Sequence, residues 1–167
     1  GATDTTNGVG NLIVGYDEAD SGSDHCSNGE YADEASCEGA GELWDALQKT
    51  GSHNLVIGPD HSYPQFGGLV AGERNIINGF FSSVSGGLEN TASGKLSSVS
   101  GGENNTASGV LSSVSGGLDN TASSDSSSVS GGENNTASGF TSSVSGGADR
   151  EASSDDDWVA GSLFEDN

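Results

Sequence analysis

The sequence is poor in several residue types that an ordinary globular domain uses. Its 167 residues include no Met, two Pro, two Cys and 6% aromatic residues, and only 31% are hydrophobic. Such a composition leaves little apolar surface for a conventional hydrophobic core, and read alone it is typical of a disordered chain. Apolar runs are short as well, because no stretch of about 18 apolar residues is present that would span a membrane.

Basic residues are equally scarce. Four Lys and Arg stand against 25 Asp and Glu, which gives a formal net charge of −21. Nucleic acid and anionic membrane surfaces are therefore not expected as partners, since both are bound through Lys- and Arg-rich surfaces. The charge predicts a strongly solvated surface. Exposure to salt water, which screens the self-repulsion, is a second interpretation.

What the sequence has instead is a repeat of 15 residues. "SSVSGGENNTASG" begins at Ser97, and near copies begin at Ser82, Ser112, Ser127 and Ser142. A disordered Gly/Ser linker has no need to keep Val, Gly, Asn and Ala in register over five successive copies. A repeat array is stable with few apolar atoms per repeat, provided that they stack.

Residues alternate inward and outward within each repeat, which predicts two short strands and two corners per coil. We therefore predict an all-β, parallel β-solenoid of about nine coils with 14–15 residues each. Its core ladder is predicted to be Leu12, Leu55, Leu69, Val84, Val99, Val114, Val129, Val144 and Val159. A buried amide ladder is predicted from Asn90, Asn105, Asn120 and Asn135, because identical residues stack directly above one another.

The repeat is interrupted once, and the interruption defines the predicted organisation. Residues 1–15 form an N-terminal segment with the first coil, 16–51 an acidic insertion, 52–162 the solenoid repeats and 163–167 a C-terminal cap or tail. The insertion carries ten acidic residues before Lys49 and includes Cys26 and Cys37. We expect a disulfide between them, with free thiols or a metal site as alternatives. A short helix is predicted over 41–50, with Leu43, Trp44 and Leu47 on one side.

The two open ends of the array and its outer face suggest further roles. Trp158, Leu163 and Phe164 are expected to cap the C-terminal end, because terminal repeats are usually atypical. Phe81, Leu96 and Leu111 lie three residues before an inward Val and should point outward. One coil buries too little apolar surface to offset the entropy of ordering fifteen residues, so these side chains are predicted to form a protomer interface.

The repeat resembles the head repeat of trimeric autotransporter adhesins of the YadA type. "NLVIG" at 54–58 and "GLVAG" at 68–72 resemble its first half, and "NTASG" at 90–94 resembles its second half. The similarity covers most of 52–162 and also 11–15. The period is longer than the family's by one residue, Gly86 replaces an apolar residue and Asn90 replaces Ala. The resemblance implies a left-handed parallel β-roll with three chains per unit on a bacterial surface.

The function predicted from these features is that of an extracellular structural or adhesive protein, a homotrimer that stacks end to end into a surface fibre. Its adhesion target stays unnamed. No enzyme is predicted, since His25, His53 and His61 are not spaced with a nucleophile. No cofactor is expected, although corner carboxylates such as Glu89, Glu103, Asp119 and Glu133 leave weak calcium binding open.

The alternative function is ice binding through columns of hydroxyl groups. One predicted outward column is Thr91, Thr106, Thr121 and Thr136, and a second is Ser93, Ser108, Ser123 and Ser138. Ile76 and Glu151 interrupt the Thr column at its two ends.

Overall fold

The chain forms a parallel β-solenoid, in which successive coils stack through two facing sheets. The structure is a computed structural model that describes residues 10–14, 25–26, 44–45 and 49–161. Every regular element in these ranges is a β-strand, and none of the described residues is helical. The prediction of an all-β parallel solenoid is therefore confirmed.

Sheet 1 contains nine parallel strands that follow one another in chain order. They are β1 Leu12–Val14, β4 Leu55–Ile57, β5 Leu69–Ala71, β7 Ser83–Val84, β9 Ser98–Val99, β11 Ser113–Val114, β13 Ser128–Val129, β15 Ser143–Val144 and β17 Trp158–Val159. Sheet 2 contains six parallel strands. They are β6 Ile76–Ile77, β8 Thr91–Ala92, β10 Thr106–Ala107, β12 Thr121–Ala122, β14 Thr136–Ala137 and β16 Glu151–Ala152.

About seven turns, rather than the predicted nine coils, are formed. Six turns contribute a strand to each sheet, and a seventh contributes β4 and a single bridge from Ser62 to Ile76. The strands β1 and β17 add a rung to sheet 1 at either end but have no partner strand in sheet 2 among the described residues. The sequence predicts too many coils because an inward apolar residue marks a rung of sheet 1, which does not require a complete coil.

The core is a narrow column of small side chains. From Val56 to Val144 the inward Val of every coil is at most 1% exposed, and the facing column from Ala92 to Ala152 is fully buried. Tyr63 and Ile77 take the Ala position in the first two coils, so the interior is wider at the N-terminal end. Val159 packs against the last turn and is only partly buried. Small side chains are required because the two sheets lie close together.

Three of the predicted core residues are one position out of register. Leu69 pairs with Ser83, whereas its neighbour Val70 pairs with Val84. The same shift applies to Leu12 and Leu55, which pair with each other and with Leu69. These three Leu side chains therefore point outward, and Leu12 is 61% exposed. The inward residues of these rungs are Ile13, Val56 and Val70.

The shift arises because the first coils contain one residue fewer than the later ones. Inward Val56, Val70 and Val84 are 14 residues apart, whereas Val84 and Val99 are 15 apart. The additional residue is Gly86, where an added Cβ would meet no atom within 4 Å. Gly87 follows at φ 88°, and a Cβ there would lie 2.1 Å from the carbonyl oxygen of Gly102. The corner thus has room for the extra residue at position 86, whereas position 87 requires glycine.

The predicted helix in the insertion is wrong where the structure describes it. Trp44–Asp45 forms strand β3, which pairs antiparallel with strand β2, His25–Cys26. An isolated helix of ten residues is marginal in water, whereas pairing with β2 satisfies the backbone of both segments. Leu43, Leu47 and Cys37 lie outside the described residues, so the Cys26–Cys37 disulfide stays a prediction.

Candidate functional site

Buried Asn side chains form the predicted amide ladder along one inner edge of the coils. Asn90, Asn105, Asn120 and Asn135 are fully buried. The side-chain Oδ1 of each Asn accepts two hydrogen bonds from the Asn one coil later, one from its backbone N–H and one from its Nδ2. Between Asn90 Oδ1 and the two nitrogens of Asn105, both distances are 3.0 Å. The Nδ2 of Asn105 also donates to the carbonyl oxygens of Gly101 and Gly117. The ladder therefore satisfies the backbone of the Gly–Gly corners.

The ladder extends beyond the four predicted residues. Asn75 donates its Nδ2 to Ala71 and Gly87 and accepts from the N–H of Asn90, so it is the first Asn of the column. Asn135 Oδ1 accepts from the backbone N–H of Arg150 at the other end. Asn75 was missed from sequence because the coil around it is a residue shorter.

One corner of the coils carries a set of exposed apolar side chains, which we call the apolar corner. It lies between a sheet 2 strand and the next sheet 1 strand. Its members are the half-buried Phe66 and the exposed Phe80, Phe81, Leu96, Val110 and Leu111, and the exposed Lys95 lies between Phe80 and Val110. The predicted interface residues Phe81, Leu96 and Leu111 are 50%, 46% and 57% exposed. Phe66 packs on Phe80 and Phe81 with ring centroids 5.0 and 5.2 Å apart.

The backbone of the apolar corner adopts a conformation that bulky residues disfavour. Phe81, Leu96 and Leu111 have φ of 58°, 61° and 60°, in the left-handed region. A residue with a Cβ has a conformational free energy roughly 1–2 kcal/mol less favourable in this region, and Asn, Asp and Gly are its usual occupants. Further along the same column the chain changes to Ser126, Thr141 and Asp156. The N-terminal half of the column thus keeps large apolar residues where the conformation does not favour them.

The outward face of sheet 1 continues this apolar surface at the N-terminal end. Val14 and Ile57 are 52% and 39% exposed, and they stand beside the outward-pointing Leu12, Leu55 and Leu69. From β7 to β15 the same two columns consist of Ser, in pairs such as Ser83 and Ser85, and β17 ends them with Trp158 and Ala160. This face carries no charged residue along its described strands, although the chain carries a net charge of −21.

The opposite corner, between a sheet 1 strand and the following sheet 2 strand, carries carboxylates in every coil. We call it the acidic corner. One of its columns reads Glu73, Leu88, Glu103, Leu118, Glu133 and Ala148. The next column reads Arg74, Glu89, Asn104, Asp119, Asn134 and Asp149, all with φ of 52–56°. At this corner each coil thus carries one carboxylate, and adjacent coils place it in different columns.

Contacts across the acidic corner link the coils in pairs. Arg74 forms ion pairs with Glu73 at 3.0 Å and with Glu89 at 2.7 Å. Asn104 donates to Asp119, and Asn134 donates to Asp149 at 2.6 Å. Among the described residues no group of three or more His, Cys, Asp or Glu side chains could hold a metal ion. Weak calcium binding at Glu103 or Glu133 stays an untested prediction.

The remaining predicted residues are distributed as follows. His61 is buried in the ladder column, and His53 is exposed. Thr91 to Thr136 form an in-register outward column on sheet 2. Trp158 does not cover the core, because it occupies an outward position opposite Ser143, is 67% exposed and donates its Nε1–H to the Ser145 hydroxyl. Leu163 and Phe164 lie outside the described residues.

Comparisons with known proteins add no family to this description. No protein-family model matches the sequence, and a search of curated proteins gives no match. Within the described ranges, no helix has the length and apolar character needed to cross a bilayer.

Proposed function

We propose that the protein is an extracellular structural or adhesive solenoid that assembles as a homotrimer through the apolar corner, in the manner of a trimeric adhesin head. The observation that carries the proposal is the placement of Phe81, Leu96 and Leu111. Each is about half exposed and occupies a left-handed backbone position that costs free energy for such side chains. Burial against sister chains would offset that cost, since each apolar side chain gains roughly 1.5–3 kcal/mol when it leaves water.

The distribution of charge supports the same geometry. Between Phe66 and Leu111 the apolar corner carries one exposed charge, Lys95, and no carboxylate, while every coil carries a carboxylate at the opposite corner. Packing through the apolar corner keeps the acidic corners of neighbouring chains apart. Exposed contiguous apolar surface of this kind marks an interaction site.

Sedimentation equilibrium tests the trimer directly. The proposal expects a species of three times the chain mass of 16.6 kDa at micromolar concentration, and a monomer would rule it out. The double variant Leu96→Ser, Leu111→Ser should dissociate the assembly without unfolding the coils, because Ser126 occupies the same column in the wild-type chain. Leu118→Ser, at the acidic corner, is the matched control and should leave the mass unchanged.

The extracellular location and the fibre have tests of their own. Cys26 and Cys37 are proposed to form a disulfide, and alkylation followed by intact-mass measurement before and after reduction decides this. Two alkylated thiols in the oxidised protein would exclude the bond. Electron microscopy of the purified chain distinguishes end-to-end filaments from discrete short rods. Surface labelling of intact source cells, with and without protease treatment, tests the location.

The second candidate function is ice binding by sheet 2. The observation in its favour is the in-register column Thr91, Thr106, Thr121 and Thr136 on a parallel sheet. Measurement of thermal hysteresis tests it. Thr106→Tyr with Thr121→Tyr should abolish any hysteresis, whereas Ser113→Tyr on sheet 1 should leave it intact. Absence of hysteresis in the wild-type protein would remove this candidate.

A further inference from the structure

The acidic corner contains two copies of a tripeptide that is an acceptor for N-linked sugars. The sequence N-x-S/T occurs only at Asn104-Asn105-Thr106 and Asn134-Asn135-Thr136. The two tripeptides are two coils apart and occupy equivalent positions in the solenoid. Their acceptor side chains therefore share one environment.

The structure exposes the first Asn of each tripeptide and buries the second. Asn104 and Asn134 are exposed at the corner, with φ of 55° and 54°. Asn105 and Asn135 are fully buried, and each uses its Nδ2 for three hydrogen bonds in the ladder. Only the first Asn of each pair presents its amide nitrogen to an enzyme.

From this geometry we propose that Asn104 and Asn134 carry N-linked glycans, an inference that rests on the proposed extracellular location. The donor class is an oligosaccharide on a lipid-linked pyrophosphate. The Nδ2 of Asn104 or Asn134 forms a bond to C1 of the first sugar, the bond between C1 and the pyrophosphate oxygen breaks, and the Nδ2 loses one proton to a base of the transferase. The remaining Nδ2 hydrogen is still able to donate to Asp119 or Asp149.

The positions fit the proposed assembly. Coils stack at about 4.8 Å, so the two glycans stand about 10 Å apart along one edge of the rod. That edge is opposite the apolar corner, because a strand of each sheet separates the two corners in every coil. Glycans there cover the acidic corner and leave the apolar corner free for sister chains.

Glycopeptide mass spectrometry of the protein isolated from its own source tests the proposal. Peptides containing Asn104 and Asn134 should carry sugar, and an amidase that hydrolyses the Cγ–Nδ2 bond of glycosylated Asn in heavy-oxygen water should convert both residues to labelled Asp. Unmodified Asn at both positions overturns the proposal, whatever the oligomeric state. Sugar on a chain that sediments as a monomer would support it while excluding the trimer.

Two variants made in the same cells separate the motif from the fold. Thr106→Val removes the hydroxyl that the tripeptide requires and keeps a strand-forming residue in β10. It should abolish sugar at Asn104 and retain it at Asn134, and Thr106→Ser should retain both. Sugar at Asn104 in the Val variant, or its loss in the Ser variant, would show that the tripeptide does not direct the modification.

Discussion

The backbone N–H of Asn75 donates a hydrogen bond to Nδ1 of His61 across 3.2 Å. This contact makes Nδ1 an acceptor and places the ring hydrogen on Nε2, which lies 3.1 Å from the carbonyl oxygen of Ile57. Asn75 uses its own amide in the same way, accepting from Asn90 and donating to Ala71 four residues back. His61 is therefore a larger equivalent of Asn in the first described position of the ladder.

We expect His61→Asn to be tolerated far better than His61→Ala. Asn restores an acceptor for the Asn75 N–H and a donor to Ile57, whereas Ala leaves the buried Asn75 N–H without a partner; the Ile57 carbonyl oxygen still accepts from the Gly72 N–H at 3.0 Å. A buried donor without a partner costs about 1–3 kcal/mol, and the lost ring volume adds to this. Urea unfolding should show a loss of roughly 2–4 kcal/mol for His61→Ala and about 1 kcal/mol for His61→Asn. Equal losses for the two variants would show that ring volume, and not hydrogen bonding, determines this position.

The amide ladder predicts that substitution of two neighbouring Asn residues changes the unfolding free energy by very different amounts. Asn105→Ala removes the donor to Gly101 and Gly117 and the acceptor for the N–H of Asn120, and should cost about 3–5 kcal/mol in unfolding free energy. Asn104→Ala removes one exposed contact and a favourable left-handed residue, and should cost about 1 kcal/mol. Similar losses at both positions would contradict the ladder as a main source of stability.

The Gly–Gly corner provides a matched pair of substitutions on adjacent residues. Gly87→Ala places a Cβ 2.1 Å from the Gly102 carbonyl oxygen at φ 88°, so adjacent coils must separate locally. We expect a loss of at least about 2 kcal/mol, since the left-handed conformation alone costs roughly 1–2 kcal/mol. Gly86→Ala meets open space and should change stability little. Circular dichroism during urea unfolding measures both, and a larger effect at Gly86 would contradict the described corner.

Salt should strengthen the proposed assembly. The net charge of −21 per chain makes association unfavourable at low ionic strength, and the apolar corner offers Lys95 alone as an opposing charge between Phe66 and Leu111. Screening at about 0.15 M salt shortens the range of the repulsion to about 8 Å, while burial of the apolar side chains is retained. Sedimentation at low and high ionic strength should show tighter association with added salt. Dissociation by salt would indicate an ionic interface instead.

The period and the composition were sufficient to predict the sheets, the Val and Ala columns and the amide ladder. Small inward residues recur at fixed spacing only where coils stack in register, as Val84 does over Val99. Counting could not predict which residues of the first coils point inward, because "LVI" and "LVA" contain three apolar residues in a row and do not alternate. The signal was the single Gly of "VAG" where later coils have "SGG", which marks the missing corner residue.

The surface was predicted less completely than the core. Phe81, Leu96 and Leu111 were recognised as outward residues, but the outward Leu12, Leu55 and Leu69 were assigned to the interior by the same error of one position. The size and terminal position of Trp158 predict a cap, whereas alternation along β17 makes Val159 the inward residue.

Because the carboxylates at the acidic corner alternate between two columns, the structural repeat of this rod is two coils and not one. Deletion of a single coil between Leu88 and Leu118 would bring those two Leu residues together and would stack Glu89 directly on Asp119. Deletion or duplication of two coils keeps the alternation in both columns, so that no carboxylate stacks directly on a carboxylate of the next coil. Variants of this chain that differ in length are therefore expected to gain or lose repeats of 15 residues in pairs.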